Sequence, residues 1–284
     1  MKTVTPTIGQ AFAEWMLRQN EIEGEIHRAA RPEGMPAFSF SSVMGCSRAA
    51  GYKAAHLDPT DPMDGASLAI TAMGSLLHTD VQAALAQRWP NASFEVSGVV
   101  DDLVWGYADA DLPEEDESVE IKTVGAYKFD LSIGLFRSPG RGQPARVRPE
   151  GGKGPSISHI CQGGFNAKAA GRSKVRIVYV SREAVSVKKA EEAGLGPVER
   201  FWAEWLFERE VWEPLVDAET ARLTKIRALV EAGFIPDRSD IDDDGKTIKI
   251  DRDKHWRCLY CSQAHRCELD GPGRIAVGLS KTAP

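Results

Sequence analysis

The chain has 284 residues, of which 42% are hydrophobic, and a formal net charge of −6 at pH 7. This composition is ordinary for a globular protein with a buried core, and it argues against a uniformly basic nucleic-acid coat. No run of about 18 apolar residues is present to span a membrane, and the first residues lack an apolar signal region, so a cytoplasmic location is expected.

The first part of the chain predicts helices that are followed by strands. Residues 8–31 space apolar side chains as an amphipathic helix does, and a short alanine-rich helix begins near Cys46 after a run of serines. Residues 66–88 predict a long helix with His78 in its middle, and residues 93–100 predict a strand. The long helix is expected to bury Leu68, Leu76, Leu77, Val81, Ala84 and Leu85.

Two further strands and a turn follow. Residues 105–111 and 119–123 have strand-like composition, and residues 112–118 between them are polar and rich in turn formers. This arrangement predicts a β-hairpin.

The hairpin carries charged residues at spacings that place them together. Side chains alternate along a strand, so Glu120 and Lys122 share one face while Ile121 points into the core. The same alternation gives Asp109 and Asp111 a common facing, so the pattern does not choose between them. Other acids compete with Asp109 for a role here, namely Asp101, Asp102 and Asp111.

A basic stretch follows the hairpin. Beyond residue 123 the sequence is loop-like, and residues 137–153 hold five basic residues against one acid, among glycines and prolines. Such a segment is either a solvated flexible loop or a contact for a phosphate backbone. Aromatic residues do not interleave with these charges, so base stacking is not suggested. The candidate DNA-binding residues are Arg141, Arg146, Arg148 and Lys153.

The second half of the chain alternates helix and strand. Residues 158–170, which include Gln162, predict a helix stopped by a glycine, and residues 175–180 predict a strand of β-branched residues. Residues 197–232 predict one long helical segment. Together these elements indicate an α/β fold, with a central mixed β-sheet flanked by helices.

Three cysteines near the end of the chain, Cys258, Cys261 and Cys267, lie within ten residues. Clustered thiols in a cytosolic protein favour a metal or an iron–sulfur cluster over disulfides. Three thiolates need a fourth ligand; a [4Fe–4S] cluster is normally held by four cysteines, whereas zinc accepts a histidine. The candidates for that ligand are Cys46, Cys161, His255 and His265.

One histidine, two acids and a lysine form a second candidate site. His78 alone is most simply a satisfied helix histidine, and Asp109 and Glu120 alone are most simply surface acids. Together with Lys122 they are a set of the kind that holds Mg²⁺ or Mn²⁺ and leaves room for substrate oxygens and water.

The order of these motifs resembles the PD-(D/E)XK nuclease superfamily. More narrowly, it is similar to the RecB-like exonucleases with an iron–sulfur cluster, the group that includes the CRISPR-associated RecB-like exonuclease and the AddB nuclease domain. The likeness spans residues 41–267. In chain order its motifs are an early Cys46, Gly74-x3-His78, Gly106-x2-Asp109, Glu120-Ile121-Lys122, Gln162 and Cys258-x2-Cys261-x5-Cys267.

This resemblance implies a hydrolase, a metal-dependent DNA exonuclease with little sequence specificity. Its metal ligands would be His78, Asp109, Glu120 and the backbone carbonyl of Ile121, and Lys122 would be the catalytic lysine. Gln162 would match the glutamine of the family's QxxxY helix, which helps to hold the DNA backbone and the active site. Asn166 stands where the family has tyrosine.

The resemblance also implies a [4Fe–4S] cluster that fastens the C-terminal tail to the helix entering the core. Its ligands would be Cys46, Cys258, Cys261 and Cys267, which leaves Cys161 as a buried, unliganded cysteine. The expected organisation is an N-terminal helical segment, residues 1–37, and a nuclease domain, residues 38–284, that includes the cysteine cluster.

The implied substrate is DNA that is single-stranded or has free ends, in recombination, repair, phage DNA metabolism or CRISPR adaptation. A recombination or CRISPR-integration protein is a candidate partner, and the oligomeric state stays open. Two alternatives remain: a non-cutting DNA-binding or adaptor protein on a nuclease fold, and a zinc-tail protein whose acids are incidental. Asp109, Glu120 and Lys122 argue against the non-cutting reading, because such a protein has no physical need of them.

Overall fold

The computed structural model describes residues 11–12, 14–22, 36–137, 144–148, 151–242, 246–250 and 255–280. Within these ranges the chain has an α/β fold, in which helices cover both faces of a central mixed sheet. The N-terminal helix expected over residues 8–31 lies partly outside the described residues. Among those described, no helix is both long and apolar enough to cross a lipid bilayer.

Eight helices are present in the described residues. They are α1 at residues 11–12 and 14–22, α2 (Ser47–Ala54), α3 (Gly65–Arg88), α4 (Ala126–Ile133), α5 (Ile157–Ala170), α6 (Val187–Ala193), α7 (Arg209–Glu231) and α8 (Ala264–Asp270).

The same residues form twelve strands. They are β1 (Phe38–Ser39), β2 (Ser93–Val100), β3 (Val104–Leu112), β4 (Glu117–Val124), β5 (Leu135–Arg137), β6 (Ala145–Val147), β7 (Lys174–Ser181), β8 (Trp202–Phe207), β9 (Phe234–Ile235), β10 (Ser239–Ile241), β11 (Thr247–Lys249) and β12 (Ile275–Ala276).

The main sheet has the strand order β1-β3-β4-β7-β8, with β2 paired to β3. The β2–β3, β3–β4 and β7–β8 pairs are antiparallel, whereas β1–β3 and β4–β7 are parallel. A parallel pair needs a crossover connection, and here the crossover from β4 to β7 contains α5. The crossover therefore lays α5 across the strand that carries Glu120.

Two hydrophobic layers hold the helices to the sheet. On one face, Phe165 of α5 and Trp212 of α7 pack in the larger core; on the other, Val81 of α3 packs with Ile121 and Val178. Gly163 lets α5 approach closely, because a Cβ there would lie 2.6 Å from Val175 Cγ1. Helix α5 thus contacts β4 and β7 at short range.

The sequence predicted the hairpin, the long helix, the helix with Gln162 and the β-branched strand, and all four are confirmed as β3–β4, α3, α5 and β7. Two side chains of α3 were wrongly assigned to the buried face. Leu76 is 69% exposed and Ala84 is also exposed, whereas Gly74 on the same helix is buried and approaches the sheet.

Two predictions of local structure are wrong. The segment after residue 123 is not simply a loop, because Gly125 and Gly134 bound the short helix α4 and the paired strands β5 and β6 follow it. Residues 197–232 are not one helix, because residues 202–207 form β8. The aromatic-rich segment alternates along the edge of the sheet and pairs with β7, and this tertiary pairing overrides a helix-like hydrophobic spacing.

Candidate functional site

The candidate site forms where the hairpin strands β3 and β4 separate. Their pairing runs from Leu112–Glu117 to Ala110–Val119, and the next position in this register sets Asp109 opposite Glu120. There Asp109 Oδ2 accepts a hydrogen bond from the Ile121 backbone N–H at 2.6 Å. This hydrogen bond joins the Asp109 carboxylate to the backbone of β4 and places Asp109 beside Glu120.

Glu120 is fully buried and bound at both oxygens. Its Oε1 lies 2.5 Å from the Lys122 ammonium nitrogen, and its Oε2 accepts a hydrogen bond from Asn166 Nδ2 at 2.7 Å. The Oε1 contact is an ion pair without standard hydrogen-bond geometry. As the alternation predicted, Glu120 and Lys122 share a face, while Ile121 is buried against the other.

His78 reaches the site from α3. Its Nδ1 lies 3.7 Å from Asp109 Oδ1. One helical turn earlier, Gly74 passes so close to the end of β4 that a Cβ would lie 2.9 Å from Thr123 Oγ1. Burial, together with the charge of Lys122, lowers the pKa of His78, and this favours the neutral imidazole that can ligate a metal.

Burial dominates the electrostatics of the two acids. It raises the pKa values of Asp109 and Glu120, and the positive charge of Lys122 opposes this shift. Burial also penalises the charged form of Lys122, but the attraction of Glu120 and Asp109 outweighs it and the lysine pKa rises. One lysine therefore faces two buried carboxyl groups, so a further cation would favour ionisation of both.

The donor types at this site suit Mg²⁺ or Mn²⁺, which prefer carboxylate oxygens and accept imidazole nitrogen. Across the described residues, however, no group of three or more His, Cys, Asp and Glu side chains is arranged to hold a metal ion. At the hairpin the Lys122 ammonium lies against Glu120. Its displacement would free a fully buried carboxylate oxygen, so the residues fit a cation in composition.

The structure distinguishes Asp109 from the other acids considered for this site, Asp101, Asp102 and Asp111. Asp111 forms a two-pronged ion pair with Arg172, at 2.6 and 2.8 Å, and Asp101 lies 3.3 Å from the Lys168 ammonium. Asp101 and Asp102 also occupy the turn between β2 and β3 in left-handed backbone conformations. Asp109 is the acid beside Glu120.

Helix α5 supplies contacts that the sequence did not indicate. Asn166 is buried and donates to Glu120, so the residue at the resembled family's tyrosine position contacts the site acid. Gln162 lies one turn earlier and is half-buried. The only sequence signal for these contacts was the four-residue spacing of Gln162 and Asn166, which places both side chains on one helix face.

A half-buried histidine and a buried tyrosine lie beside Lys122. Tyr179 is the β7 partner of Lys122 in the parallel pairing, and its hydroxyl is 2.8 Å from His159 Nδ1. The same hydroxyl accepts a hydrogen bond from the backbone N–H of Ser156 at 2.9 Å. Burial lowers the pKa of His159 to about 3, with Lys122 adding to the shift, so this imidazole is neutral.

Four of the five cysteines surround one cavity of about 40 Å³, formed by the start of α2 and the tail. On the same measure a single water molecule needs about 10–15 Å³. The four are Cys46, Cys258, Cys261 and Cys267. Burial raises the pKa values of the Cys46 and Cys261 thiols, and neighbouring cysteines add to the shift. Cys161 is buried elsewhere, with its thiol 3.7 Å from the Leu215 carbonyl oxygen.

Arginines line the same cavity. Arg238 donates from Nε to Cys267 Sγ at 3.1 Å and from Nη2 to the Cys267 carbonyl at 2.5 Å. Arg48 is fully buried and donates to the backbone carbonyls of Pro236, Gly271 and Gly273. These contacts tie α2 to the tail.

Asp240 fixes the residues just before the first tail cysteine. It is buried and lies 2.5 Å from Arg257 Nη1 and 3.3 Å from His255 Nε2. Arg257 also donates to the Met44 carbonyl at 3.1 Å. His255, one sequence candidate for a fourth ligand, is thus engaged by a carboxylate.

The basic stretch forms a separate cluster around the end of α4. Arg146 and Arg148 lie 5.6 and 5.3 Å from the Phe136 ring centre, so an aromatic residue does accompany these charges. Arg148 and Lys153 also line a pocket of about 190 Å³ against glycine backbone. Arg141 lies outside the described residues.

No known family model and no curated protein matches this chain. Among solved structures, the crystal structure of SSO0001 is 18% identical, with coverage of 89% of this chain and 95% of that one and a TM-score of 0.48. An alkaline exonuclease from Laribacter hongkongensis is 14% identical, with coverage of 57% and 69% and a TM-score of 0.38.

A phage-related exonuclease from Haemophilus somnus 129PT is 10% identical, with coverage of 56% of this chain and 70% of that one and a TM-score of 0.35. All three TM-scores fall below 0.5.

Proposed function

We propose that this chain is a metal-dependent DNA exonuclease that hydrolyses phosphodiester bonds with little sequence specificity. The observation that carries the proposal is the buried Glu120, held by Lys122 and Asn166 directly beside Asp109 at the point where the hairpin opens. A buried acid costs free energy unless it is paired, and sites with strongly shifted carboxyl pKa values are candidates for catalysis.

Mg²⁺ or Mn²⁺ would be held by His78, Asp109, Glu120 and the Ile121 carbonyl. When bound, such an ion supplies charge stabilisation at the phosphate and an activated water. Lys122 would then be released from Glu120 towards the scissile phosphate, where its ammonium offsets developing negative charge or orients the attacking water.

The remaining residues position this machinery. Asn166 holds one oxygen of Glu120, which fixes the orientation of the carboxylate. Gln162, one turn away, would contact the DNA backbone. Arg141, Arg146, Arg148 and Lys153 would contact phosphates of the DNA backbone, and phosphate contacts carry no sequence information.

We further propose that Cys46, Cys258, Cys261 and Cys267 hold a [4Fe–4S] cluster. The four thiols line one cavity between the start of α2 and the tail, and four cysteines are the usual ligand set of such a cluster. Arg238 would donate a hydrogen bond to a ligating sulfur. The role proposed for the cluster is structural, because it links residue 46 to residues 258–267 and so secures the tail.

We also propose that the nuclease domain begins at residue 38 and that the protein is cytoplasmic. Its role would be in recombination, repair, phage DNA metabolism or CRISPR adaptation. A recombination or CRISPR-integration protein would be the partner that delivers DNA ends.

The test is degradation of end-labelled DNA with Mg²⁺ or Mn²⁺ by the full chain. Glu120→Gln and Lys122→Ala are expected to lower the cleavage rate by about 100-fold or more, because each removes a group from the reacting centre. Asp111→Asn is the matched control, since Asp111 lies two residues from Asp109 but pairs with Arg172.

The control should cut DNA at close to the normal rate. If Glu120→Gln or Lys122→Ala cuts as wild type does, the site assignment fails. If the wild-type chain binds DNA and never cuts it, the non-cutting adaptor is the correct function. A chain that holds zinc and shows neither activity is the zinc-tail alternative.

A further inference from the structure

The histidine in the first turn of α5 is held by a tyrosine of the sheet. His159 Nδ1 lies 2.8 Å from the Tyr179 hydroxyl, and the Ser156 backbone N–H donates to the same oxygen at 2.9 Å. Tyr179 is fully buried, and its ring packs edge to face on Trp205 at a centroid distance of 5.3 Å. The buried tyrosine therefore fixes the orientation of the His159 imidazole.

The same hydroxyl determines which imidazole nitrogen carries the hydrogen. His159 is neutral near pH 7, because burial and surrounding positive charges lower its pKa to about 3. A neutral imidazole has one donor and one acceptor nitrogen. The Tyr179 oxygen accepts from Ser156, and a buried tyrosine O–H also needs an acceptor, for which Nδ1 is in place. When Nδ1 accepts that hydrogen bond, Nε2 is the donor nitrogen.

The Nε2 side of the imidazole is open and suits an anion. Within the described chain no protein group bonds Nε2, and solvent reaches this atom. The charged groups that act on the imidazole are the cations Lys122, Lys128 and Arg257. His159 also lies at the N-terminal end of α5, where the helix dipole favours negative charge. A phosphate oxygen would be bound favourably at Nε2.

The strand pairing places this imidazole at the candidate site. Lys122 and Tyr179 are direct partners in the parallel β4–β7 pair, so their side chains project from the same face of the sheet. On the same helix as His159, and about 10 Å further along its axis, Asn166 bonds Glu120. Helix α5 thus contacts Glu120 through Asn166 and reaches the neighbourhood of Lys122 through His159.

We propose that His159 is a further catalytic residue, whose Nε2–H donates a hydrogen bond to a non-bridging oxygen of the phosphate that Lys122 approaches, and that Tyr179 positions it. The inference rests on the proposed function, since this phosphate belongs to the bond that is cut. The imidazole transfers no proton in this role. It is a fixed donor that stabilises the negative charge developing on the phosphate in the transition state.

Two amide substitutions separate the nitrogens of His159. The side-chain amide of His159→Gln reaches the position of Nε2, whereas that of His159→Asn lies near Nδ1 and leaves the Nε2 position without a donor. Rates and KM are measured on end-labelled DNA with Mg²⁺ and the full chain. We expect kcat to fall by about 100-fold or more in His159→Asn and by about tenfold or less in His159→Gln, with KM little changed in either.

The tautomer is measured without cleavage, by NMR of the ¹⁵N-labelled, metal-free chain. The His159 signals are identified by their loss in His159→Gln, and the wild type should carry its imidazole hydrogen on Nε2. Tyr179→Phe keeps the ring and removes the hydroxyl, so it should lose this preference and lower kcat by about tenfold. His56→Asn is the control and should cut DNA at the normal rate, because His56 is exposed just after α2.

Three results would overturn the inference. A wild-type imidazole with its hydrogen on Nδ1 excludes Nε2 as the donor. A cleavage rate in His159→Asn equal to or above that in His159→Gln would show that His159 acts only through its bond to Tyr179, and the nuclease assignment would stand because the wild type still cuts. A wild-type chain that never cuts DNA would remove the proposed function and, with it, the catalytic role of His159.

Discussion

Asn166 shows what a single residue contributes at this site. Glu120 is buried beyond the reach of bulk water, and Asn166 is the neutral donor that satisfies its second oxygen. Period-two alternation is local, so the sequence predicted that Glu120 and Lys122 face together. The contact with Asn166 crosses 46 residues, and the choice of Asp109 over Asp111 depends on Arg172, 61 residues from Asp111. Neither could be derived from local patterns.

Asn166→Leu is expected to lower the free energy of unfolding by about 1–3 kcal/mol, because a buried acceptor loses its donor. The cleavage rate should fall by about 10–100-fold, the effect expected when a group that supports a proposed metal ligand is lost. The lost hydrogen bond favoured the charged carboxylate, so its removal raises the pKa of Glu120 further and moves the acid limb of the rate profile to higher pH.

Chemical denaturation and a pH–rate series measure these effects. Asn166→Gln keeps an amide and should recover part of the rate if the contact acts through the donor. A cleavage rate and pH profile in Asn166→Leu equal to those of wild type would show that Asn166 has no positioning role.

At the scale of elements, helix α5 is placed by its glycines. The helical period and the stop at Gly171 predicted the helix itself from sequence. The distance between α5 and the sheet was not predictable, because it depends on Gly163, which has no side chain and so lets the helix approach β7. The helix predicted over residues 197–232 was wrong for a related reason. Pairing with β7, a long-range contact, determines that residues 202–207 form the strand β8.

Gly163→Ala should push α5 away from the sheet. The new Cβ would lie 2.6 Å from Val175 Cγ1 and 3.1 Å from Ile177 Cδ1, and overpacking of this kind costs about 1–3 kcal/mol. The shift would also lengthen the Asn166–Glu120 hydrogen bond and slow cleavage. Melting temperature and cleavage rate are the measurements.

Gly278→Ala provides the control, because nothing lies within 4 Å of a Cβ at that position. It should leave both the melting temperature and the cleavage rate close to wild type. If Gly163→Ala behaves in the same way, the close approach of α5 does not constrain the site.

At the scale of the whole molecule, the tail and α2 form one unit around the cysteine cavity. The spacing of Cys258, Cys261 and Cys267 predicted that these thiols cluster, because the three lie in one short segment. The arrival of Cys46 was expected from the family resemblance alone. The arginines and Asp240 that shape the cavity had no sequence signal, since their partners come from other parts of the chain. Arg48 donates to backbone carbonyls, Arg238 to the Cys267 sulfur, and Asp240 pairs with Arg257.

Anaerobically purified chain should be brown and contain about four iron atoms per molecule, as a [4Fe–4S] cluster requires. Cys46→Ala is expected to lose the iron and the visible absorbance, and to make the tail sensitive to limited proteolysis. Cys161→Ala is the matched control, because Cys161 is buried away from the cavity, beside the Leu215 carbonyl.

Iron analysis, absorption spectra and a protease time course measure this. A colourless wild-type chain with one zinc ion per molecule would replace the cluster with a zinc site. Loss of iron in Cys161→Ala to the same degree as in Cys46→Ala would remove the assignment of ligands.

The buried Arg48 also sets an order of events during synthesis. Its three carbonyl partners lie 188 to 225 residues further along the chain, which a ribosome adding about 5–20 residues per second reaches on the order of ten seconds or more later. Until then the guanidinium cannot be buried without a cost of several kcal/mol. The segments with His78, Asp109, Glu120 and Lys122 thus emerge long before the last partners of Arg48 are synthesised. A chain interrupted before residue 271 would therefore leave the Arg48 guanidinium without two of its three backbone carbonyl partners.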